Sequence, residues 1–279
     1  MVQSFNNLAE DWTDIMTQKH ILVTNDDGVH APSMLALVKA MRLLGKVSVL
    51  APDRNWSAAG HVKSMNRPLF VRETLLADGT SALATDGAPS DCVALAKMGI
   101  IAEPIDLVVS GINPNANIGD DATYSGTVTA AMEAIINDLM GIAFSMDSAM
   151  INPQLQAPVS ADFDRAAEYA RMVAAKVLAE GLPPGVLLNV NIPFQPQVAV
   201  KGFQITRQGK RIYHDELVRY SDPFGRPFYW IGGEKPDGVN EMGTDYGALK
   251  DGYVSITPLQ LDLTAYQFKE TIAHWKFDQ

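Results

Sequence analysis

Short apolar runs that end abruptly in polar loops recur through the first 195 residues of the chain. One run covers His20–Thr24 and stops at Asn25-Asp26-Asp27-Gly28, and another covers residues 47–52 and stops at Asp53-Arg54-Asn55-Trp56-Ser57. Apolar runs of this length, bounded by turn-forming residues, are typical of strands buried in a parallel sheet. The same pattern predicts strands at residues 106–109, 142–144 and 186–192.

Helices are predicted between these strands. Pro32 and Ser33 can start the first helix, and its buried face is formed by Leu35, Leu37, Val38, Met41 and Leu44. A turn at residues 86–91 leads into a capped helix with Cys92 in the core, and residues 127–140 and 162–180 have helical patterns. Alternating strands and helices predict an α/β fold with a Rossmann-like, doubly wound, mostly parallel sheet, whose ligand crevice lies beyond the carboxyl ends of its strands.

The pattern changes after residue 195. Shorter runs separated by turns, such as residues 222–227, predict a β-rich C-terminal extension. Its aromatic residues exceed what a polar connector needs, so we expect it to cover the cleft or pack on another subunit: Tyr213, Tyr220, Phe224, Phe228, Tyr229 and Trp230. The predicted organisation is an N-terminal extension at 1–18, a Rossmann-like core at 19–195 and a C-terminal region at 196–279.

Charge and composition narrow the possible partners. The formal net charge of -10 argues against binding to a nucleic-acid polymer, and the apolar runs are too short to cross a membrane. The single cysteine, Cys92, forms no internal disulfide and favours a reducing compartment, so we expect a cytoplasmic protein. The first 18 residues contain Glu10, Asp11 and Asp14 and do not resemble a secretory signal.

Two adjacent carboxylates, Asp26 and Asp27, follow the first predicted strand. Such a pair repels unless a cation, a proton or strong donors compensate it, which suggests a hard divalent ion such as magnesium or manganese. Ser57 and Asn113, in loops after two other parallel strands, can supply neutral oxygen ligands. For the dipeptide alone, a solvated Asp-Asp-Gly turn is the alternative interpretation.

The segment Tyr124-Ser125-Gly126-Thr127 leads into a predicted helix. The free amides and positive dipole end of such a helix can bind a phosphate, with the Ser125 and Thr127 hydroxyls as further donors. An ordinary Ser/Thr helix cap is the alternative. The loop at 110–121 is rich in Asn, Gly and Asp and is also a candidate binding loop.

Several other chemistries lose their usual sequence support. The histidines form no close HxxxH pair, which disfavours a zinc protease. The chain has no Gly-x-Gly-x-x-Gly fingerprint, no Gly-x-x-x-x-Gly-Lys-Ser/Thr loop and no Gly-x-Ser-x-Gly motif. Dinucleotide-dependent redox chemistry, P-loop hydrolysis and serine hydrolysis are therefore disfavoured.

Several separated motifs together resemble the SurE family of survival-protein nucleotidases over roughly residues 19–265. The similarity extends through the following segments, in the family's order and spacing: 24–28, 51–60, 110–113, 124–128, 188–193, 205–207, 243–245 and 255–259. The resemblance implies a Rossmann-like catalytic core, a swapped or extended C-terminal region and a homodimer or homotetramer. The sequence departs from the family pattern at Ser33, Ala88 and Asn115, where Gly, Thr and Gly are expected.

The resemblance also implies an activity and its residues. It implies metal-dependent hydrolysis of nucleoside 5'-monophosphates or 3'-monophosphates. Some members of the family also cleave short polyphosphate. Asp26, Asp27, Ser57 and Asn113 would hold one divalent ion per subunit, and Asn25 with Ser125, Gly126 and Thr127 would lie near the phosphate. The resemblance also makes Asp26 and Asp27 the expected catalytic pair.

The sequence is compatible with two rival functions. A broad-specificity acid phosphatase would hydrolyse nucleotides and simple aryl phosphates at similar rates. A non-catalytic nucleotide-binding sensor would bind nucleotide tightly without releasing phosphate. Direct attack by water is favoured over a covalent aspartyl-phosphate, although both use a carboxylate beside a metal-bound phosphate.

Overall fold

The computed structural model describes residues 19–147, 158–194 and 199–277. The strands are β1 His20–Thr24, β2 Lys46–Pro52, β3 Val71–Leu75, β4 Ser81–Thr85, β5 Leu107–Asn113, β6 Met140–Asp147, β7 Val186–Pro193, β8 Phe203–Ile205, β9 Arg211–Ser221, β10 Pro227–Gly238 and β11 Val254–Gln260. The helices are α1 Pro32–Met41, α2 Pro89–Leu95, α3 Gly126–Ile136, α4 Ser160–Glu180, α5 Asp245–Lys250 and α6 Tyr266–Ala273. The predicted extension at 1–18 lies outside the described residues.

Nine strands form the main sheet in the order β3-β4-β2-β1-β5-β6-β7-β11-β8. The six strands from β4 to β7 run parallel. Strand order reverses between β1 and β5, and this switch point is where an open α/β sheet offers a crevice for ligands. The predicted α/β class with a mostly parallel, doubly wound sheet is confirmed.

Apolar side chains alternate between two layers of helices. Ile21 and Val23 of β1 pack in the core with α1 and α4, whereas Leu22 packs on the other face with Cys92 and Ala130. A strand covered by helices on both faces favours apolar residues at successive positions, which is why the central residues of β1 from Ile21 to Val23 are all apolar. The predicted core position of Cys92 is confirmed.

The predicted strands and helices are present, with two corrections at their ends. Helix α3 ends at Ile136 rather than continuing to residue 140, because Asp138 has a φ of 56° and Met140 already begins β6. Strand β5 continues through Asn113, so Asn113 is the last residue of a strand rather than part of a loop. Neither the β3–β4 pair nor the antiparallel position of β11 was predicted.

The C-terminal part of the chain contributes to two sheets. Strand β11 pairs antiparallel with β7 and parallel with β8, so it extends the main sheet. Strands β9 and β10 form a separate antiparallel hairpin. Its aromatic side chains are largely exposed, and Tyr220 stacks on Phe228 with 5.7 Å between ring centroids. The domain boundary at residue 195 stays a prediction.

No helix in the described ranges is long and apolar enough to span a lipid bilayer.

Candidate active site

The turn after β1 is built by Asn25. Its side-chain amide donates to the Gly28 carbonyl at 2.9 Å, and its Oδ1 accepts from the Gly28 N–H at 3.2 Å. Gly28 has a φ of 102° and lies against the backbone of Arg54, where a Cβ would come within 3.3 Å of the Arg54 carbonyl carbon. Asn25 thus fixes the shape of the turn, and its contact with a phosphate stays a prediction.

Asp26 is almost fully buried between this turn and the start of α3. The Thr127 hydroxyl donates to Asp26 Oδ1 at 2.5 Å, and the Trp56 N–H donates to the Asp26 carbonyl at 2.7 Å. Gly126 is packed so closely that a Cβ there would lie 2.7 Å from Asp26 Cβ. Burial raises the pKa of Asp26 above its ordinary value, and the Thr127 hydroxyl opposes the rise.

Asp27 is the less buried member of the pair. Burial, followed by the charge of Asp26, raises its pKa to about 7. Asn55 donates to Asp27 Oδ1 at 3.3 Å, whereas Oδ2 is buried without a hydrogen-bond partner in the described part of the chain. A buried carboxylate oxygen without a donor is costly, so this atom marks a place where a cation would be stabilised.

Ser57 and Asn113 approach the same edge of the sheet from either side of β1. Asn55 Oδ1 accepts from the Ser57 N–H at 2.8 Å, so Asn55 connects Ser57 with Asp27. Asn113 lies three residues beyond Ser110, which pairs with Thr24 of β1. Its amide donates to the Asn115 carbonyl at 2.6 Å, and within the described ranges its Oδ1 accepts no hydrogen bond.

The start of α3 supports both interpretations of the Ser-Gly-Thr segment. Ser125 is the N-cap, and its Oγ accepts from the Val128 N–H at 3.1 Å, which confirms the helix-cap alternative. The cap leaves the Ser125 hydroxyl proton free to donate, and the first turn of a helix carries N–H groups without intrahelical acceptors. The Thr127 hydroxyl, in contrast, already donates to Asp26.

The loop after β5 is held by residues far away in the chain. The Asn117 carbonyl accepts from Asn189 at 2.8 Å and from Asn191 at 3.1 Å. Asp245 accepts from the Gly119 N–H with one oxygen and from the Gly209 N–H with the other, both at 2.8 Å. Asn189, Asn191 and Asp245 thus give the motifs at 188–193 and 243–245 a role in shaping the loop that leads to the acidic site.

The departures from the family pattern fit their surroundings. Apart from the glycines, only Ala58 and Asp138 among the described residues have a positive φ, so Asn115 is accepted without a left-handed backbone. The Ala88 N–H donates to Asp91 Oδ2 at 2.9 Å, which confirms the predicted capping of α2. Ser33 is buried in the first turn of α1.

No role was predicted for Asn55 from the sequence. Its position inside the loop at 51–60 was the available signal, but only the fold shows that its amide reaches Asp27 across 28 residues. In the described ranges no group of three or more His, Cys, Asp or Glu side chains could hold a metal ion. Any cation site at this edge must therefore combine the two carboxylates with neutral oxygens.

The fold and the site define a doubly wound α/β protein with an acidic pair and a helix start at the switch point of its sheet. The model of the family described as "Survival protein SurE" matches residues 21–215. The chain belongs to the SurE family.

Similar proteins cover nearly the whole chain. A "5'-nucleotidase SurE" of Herpetosiphon aurantiacus is 49% identical over 88% of this chain and 93% of its own length. A protein of the same name from Geobacter sulfurreducens is 45% identical over 92% of this chain and 93% of its own. The crystal structure of the Aquifex aeolicus SurE protein has a TM-score of 0.77 and 42% identity, covering 91% of this chain and 98% of that one.

Proposed function

We propose that this chain is a divalent-metal-dependent 5'-nucleotidase that hydrolyses nucleoside 5'-monophosphates to nucleoside and phosphate. The observation that carries the proposal is the buried Asp26–Asp27 pair packed against the start of α3, where no donor in the described ranges reaches Asp27 Oδ2. The relatives named 5'-nucleotidase SurE support the same activity. Hydrolysis of 3'-monophosphates and short polyphosphate is a further part of the proposal.

The residues present fit a hard divalent cation. Two carboxylates with raised pKa values lie side by side, and a positive charge would relieve both their burial and their repulsion. Asp26, Asp27, Ser57 and Asn113 would hold one ion per subunit, magnesium or manganese, through oxygen atoms alone. When bound, such an ion polarises a phosphoryl oxygen and lowers the pKa of a water molecule.

The other groups bind and orient the substrate. The Ser125 hydroxyl and the free N–H groups of the first turn of α3 bind the remaining phosphoryl oxygens, and the positive end of the helix dipole offsets their charge. Gly126 admits the phosphate and Asp26 to the same small space because it has no Cβ. We favour water as the nucleophile over a covalent aspartyl-phosphate on Asp26, one oxygen of which already accepts from Thr127.

The assembly is proposed to be a homodimer or homotetramer. The exposed aromatic hairpin β9–β10 and helix α6, none of whose residues is buried, leave apolar side chains for a second subunit to cover. The cytoplasmic setting stays a prediction that rests on the single cysteine.

The proposal is tested by phosphate release from a panel of nucleoside 5'- and 3'-monophosphates and an aryl phosphate, with Mg²⁺, Mn²⁺ or a chelator, for wild type and Asp26→Asn. We expect turnover of 5'-nucleotides that a chelator abolishes and that the variant lacks. Equal rates on the aryl phosphate would favour a broad acid phosphatase. Tight nucleotide binding without phosphate release under any condition would favour the sensor.

Metal affinity is expected to depend on pH through Asp27. The pKa of Asp27 is about 7 in the metal-free chain, so below that pH a proton must leave before a cation can bind. The Mn²⁺ dissociation constant is therefore expected to rise about tenfold per pH unit below pH 7. Calorimetry in two buffers of different ionisation enthalpy measures both the affinity and the proton released. An affinity unchanged from about pH 7 to about pH 5, with no proton release, would contradict the expectation.

A further inference from the structure

A buried carboxylate outside the acidic pair lies two turns along α3. The side chain of Glu133 is 2% exposed and accepts from three donors. Its Oε2 lies 3.1 Å from His61 Nε2, while its Oε1 accepts from Lys63 Nζ at 2.9 Å and from Asn137 Nδ2 at 3.0 Å. Burial works to raise the pKa of Glu133, yet these bonds hold it below its ordinary range.

Both His61 and Lys63 belong to the segment that follows Ser57. Two further bonds tie this segment to α3 and to the residue before its cap: Thr129 Oγ1 donates to the Gly60 carbonyl at 3.2 Å, and the Gly60 N–H donates to the Tyr124 carbonyl at 3.0 Å. The helix that begins at the phosphate site thus also holds the loop that carries Asn55 and Ser57.

We propose that Glu133 is a positioning residue that fixes the segment at 55–63 through His61 and Lys63, so that Asn55 stays bonded to Asp27 and Ser57 stays bonded to Asn55. This inference rests on the proposed metal site. Burying a carboxylate such as that of Glu133 costs free energy. We therefore look for a role of its hydrogen bonds that an apolar residue at the same position could not fill. These bonds make helix α3 a single rigid support for two parts of the site. It carries the phosphate donors at its start, and it holds the neighbouring loop with the proposed neutral ligand Ser57.

The segment has a second anchor, which makes the proposal testable. Asp91 Oδ1 accepts from the Ser64 N–H at 2.8 Å, and the Ser90 hydroxyl donates to the Val62 carbonyl. These bonds to α2 remain when Glu133 is changed. The bonds of Gly60 to Thr129 and Tyr124 remain as well, so loss of the Glu133 contacts is expected to loosen the segment without releasing the whole loop.

The matched control is Asp106→Asn. Asp106 is also a carboxylate bound to a lysine and a backbone amide, accepting from Lys19 Nζ at 3.0 Å and from the His20 N–H at 2.8 Å. It lies at the opposite end of the central strands from the acidic pair, where β1 begins. Its loss is expected to reduce stability without reaching the site.

The experiment compares Glu133→Gln, Lys63→Met, the double variant and Asp106→Asn in the full chain. Mn²⁺ binding by calorimetry is expected to weaken about tenfold in Glu133→Gln, as for other groups that orient metal ligands. Amide exchange at 55–63 is expected to accelerate, and kcat/KM to fall by a similar factor. Lys63→Met should weaken binding too, and the double variant should show less than the summed effect.

The outcomes separate this inference from the proposed function. If Glu133→Gln loses stability as Asp106→Asn does but keeps wild-type Mn²⁺ affinity and amide exchange at 55–63, the residue is structural and the inference is overturned. If the wild-type chain releases no phosphate from nucleotides, the proposed function fails, while Mn²⁺ affinity and amide exchange still decide the role of Glu133. A wild-type chain that binds no Mn²⁺ would overturn both.

Discussion

Replacing Asp27 with Asn is expected to lower metal-dependent phosphate release by about 1,000-fold, the scale on which loss of one preorganised charge-stabilising group acts. The buried Oδ2 of Asp27 is the atom best placed to gain from a cation, because it has no donor within the described residues. Phosphate release from a nucleoside 5'-monophosphate with saturating Mn²⁺ measures the effect. A variant that keeps more than a tenth of the wild-type rate would contradict the ligand role.

The same substitution is expected to raise the melting temperature of the metal-free protein at about pH 8. The folded-state pKa of Asp27 is raised from 3.8 to about 7, so the folded chain holds the proton more tightly than the unfolded chain does. The stability of the metal-free wild type therefore falls as pH rises between these two values. Asn carries no charge and escapes this loss, so the difference between variant and wild type should vanish near the lower value.

Asp53→Asn is the control for both measurements. Asp53 lies in the neighbouring loop and pairs with Arg72 at 2.8 Å rather than with the acidic pair. It should keep activity within a few-fold of wild type and should not be stabilised at high pH. Loss of activity in Asp27→Asn together with a melting temperature below that of the wild type at about pH 8 would indicate misfolding rather than removal of a ligand.

Gly126→Ala is expected to lower kcat/KM about 100-fold, the cost of displacing a catalytic group by about an ångström. An added Cβ would lie 2.7 Å from Asp26 Cβ and 3.0 Å from Asp26 Oδ2, and Asp26 is held in place by Thr127. The Asp26 side chain is too short to move aside. Because Gly126 is the first residue of α3 and the added Cβ must displace its neighbours, we expect an accompanying loss of about 1–3 kcal/mol in the free energy of unfolding.

A second glycine provides the comparison. Gly232 of the hairpin likewise has no left-handed φ, and a Cβ there would meet the Val218 side chain at 3.2 Å. Gly232→Ala should keep wild-type kcat/KM, and thermal unfolding should show both variants folded. Wild-type kinetics for Gly126→Ala would mean that Asp26 and the start of α3 do not act together on the substrate.

The central strands could be predicted from sequence because they are buried on both faces. β1, for example, has Leu22 packed against one helical layer and Val23 against the other, so its three central positions are all apolar. Strand β3 could not be predicted in this way, because it is an edge strand with Arg72 and Glu73 exposed. The antiparallel insertion of β11 beside β7 depends on pairing Ser255 with Asn191, which local pattern does not reveal.

The candidate site was predictable as a set of loops but not as a set of contacts. The acidic pair and the helix start were each visible because their residue types have few uses at those positions. The bond from Thr127 to Asp26 joins residues 101 apart, and that from Lys63 to Glu133 joins residues 70 apart. Such pairs are set by the order of the strands, which the sequence does not show. Thr127 was therefore predicted to donate to phosphate, whereas in the structure its hydroxyl donates to Asp26.

The bonds of Asp245 have a consequence for how the protein is made. A nascent chain that has emerged only as far as β7 has every proposed metal ligand but lacks the carboxylate that accepts from Gly119 and the strand that covers the β7 edge. The loop leading to Ser125 is then held by Asn189 and Asn191 alone and still lacks its bond to Asp245. Because chains leave the ribosome N-terminus first, the site is completed only late in synthesis, after residues 245–260 have emerged.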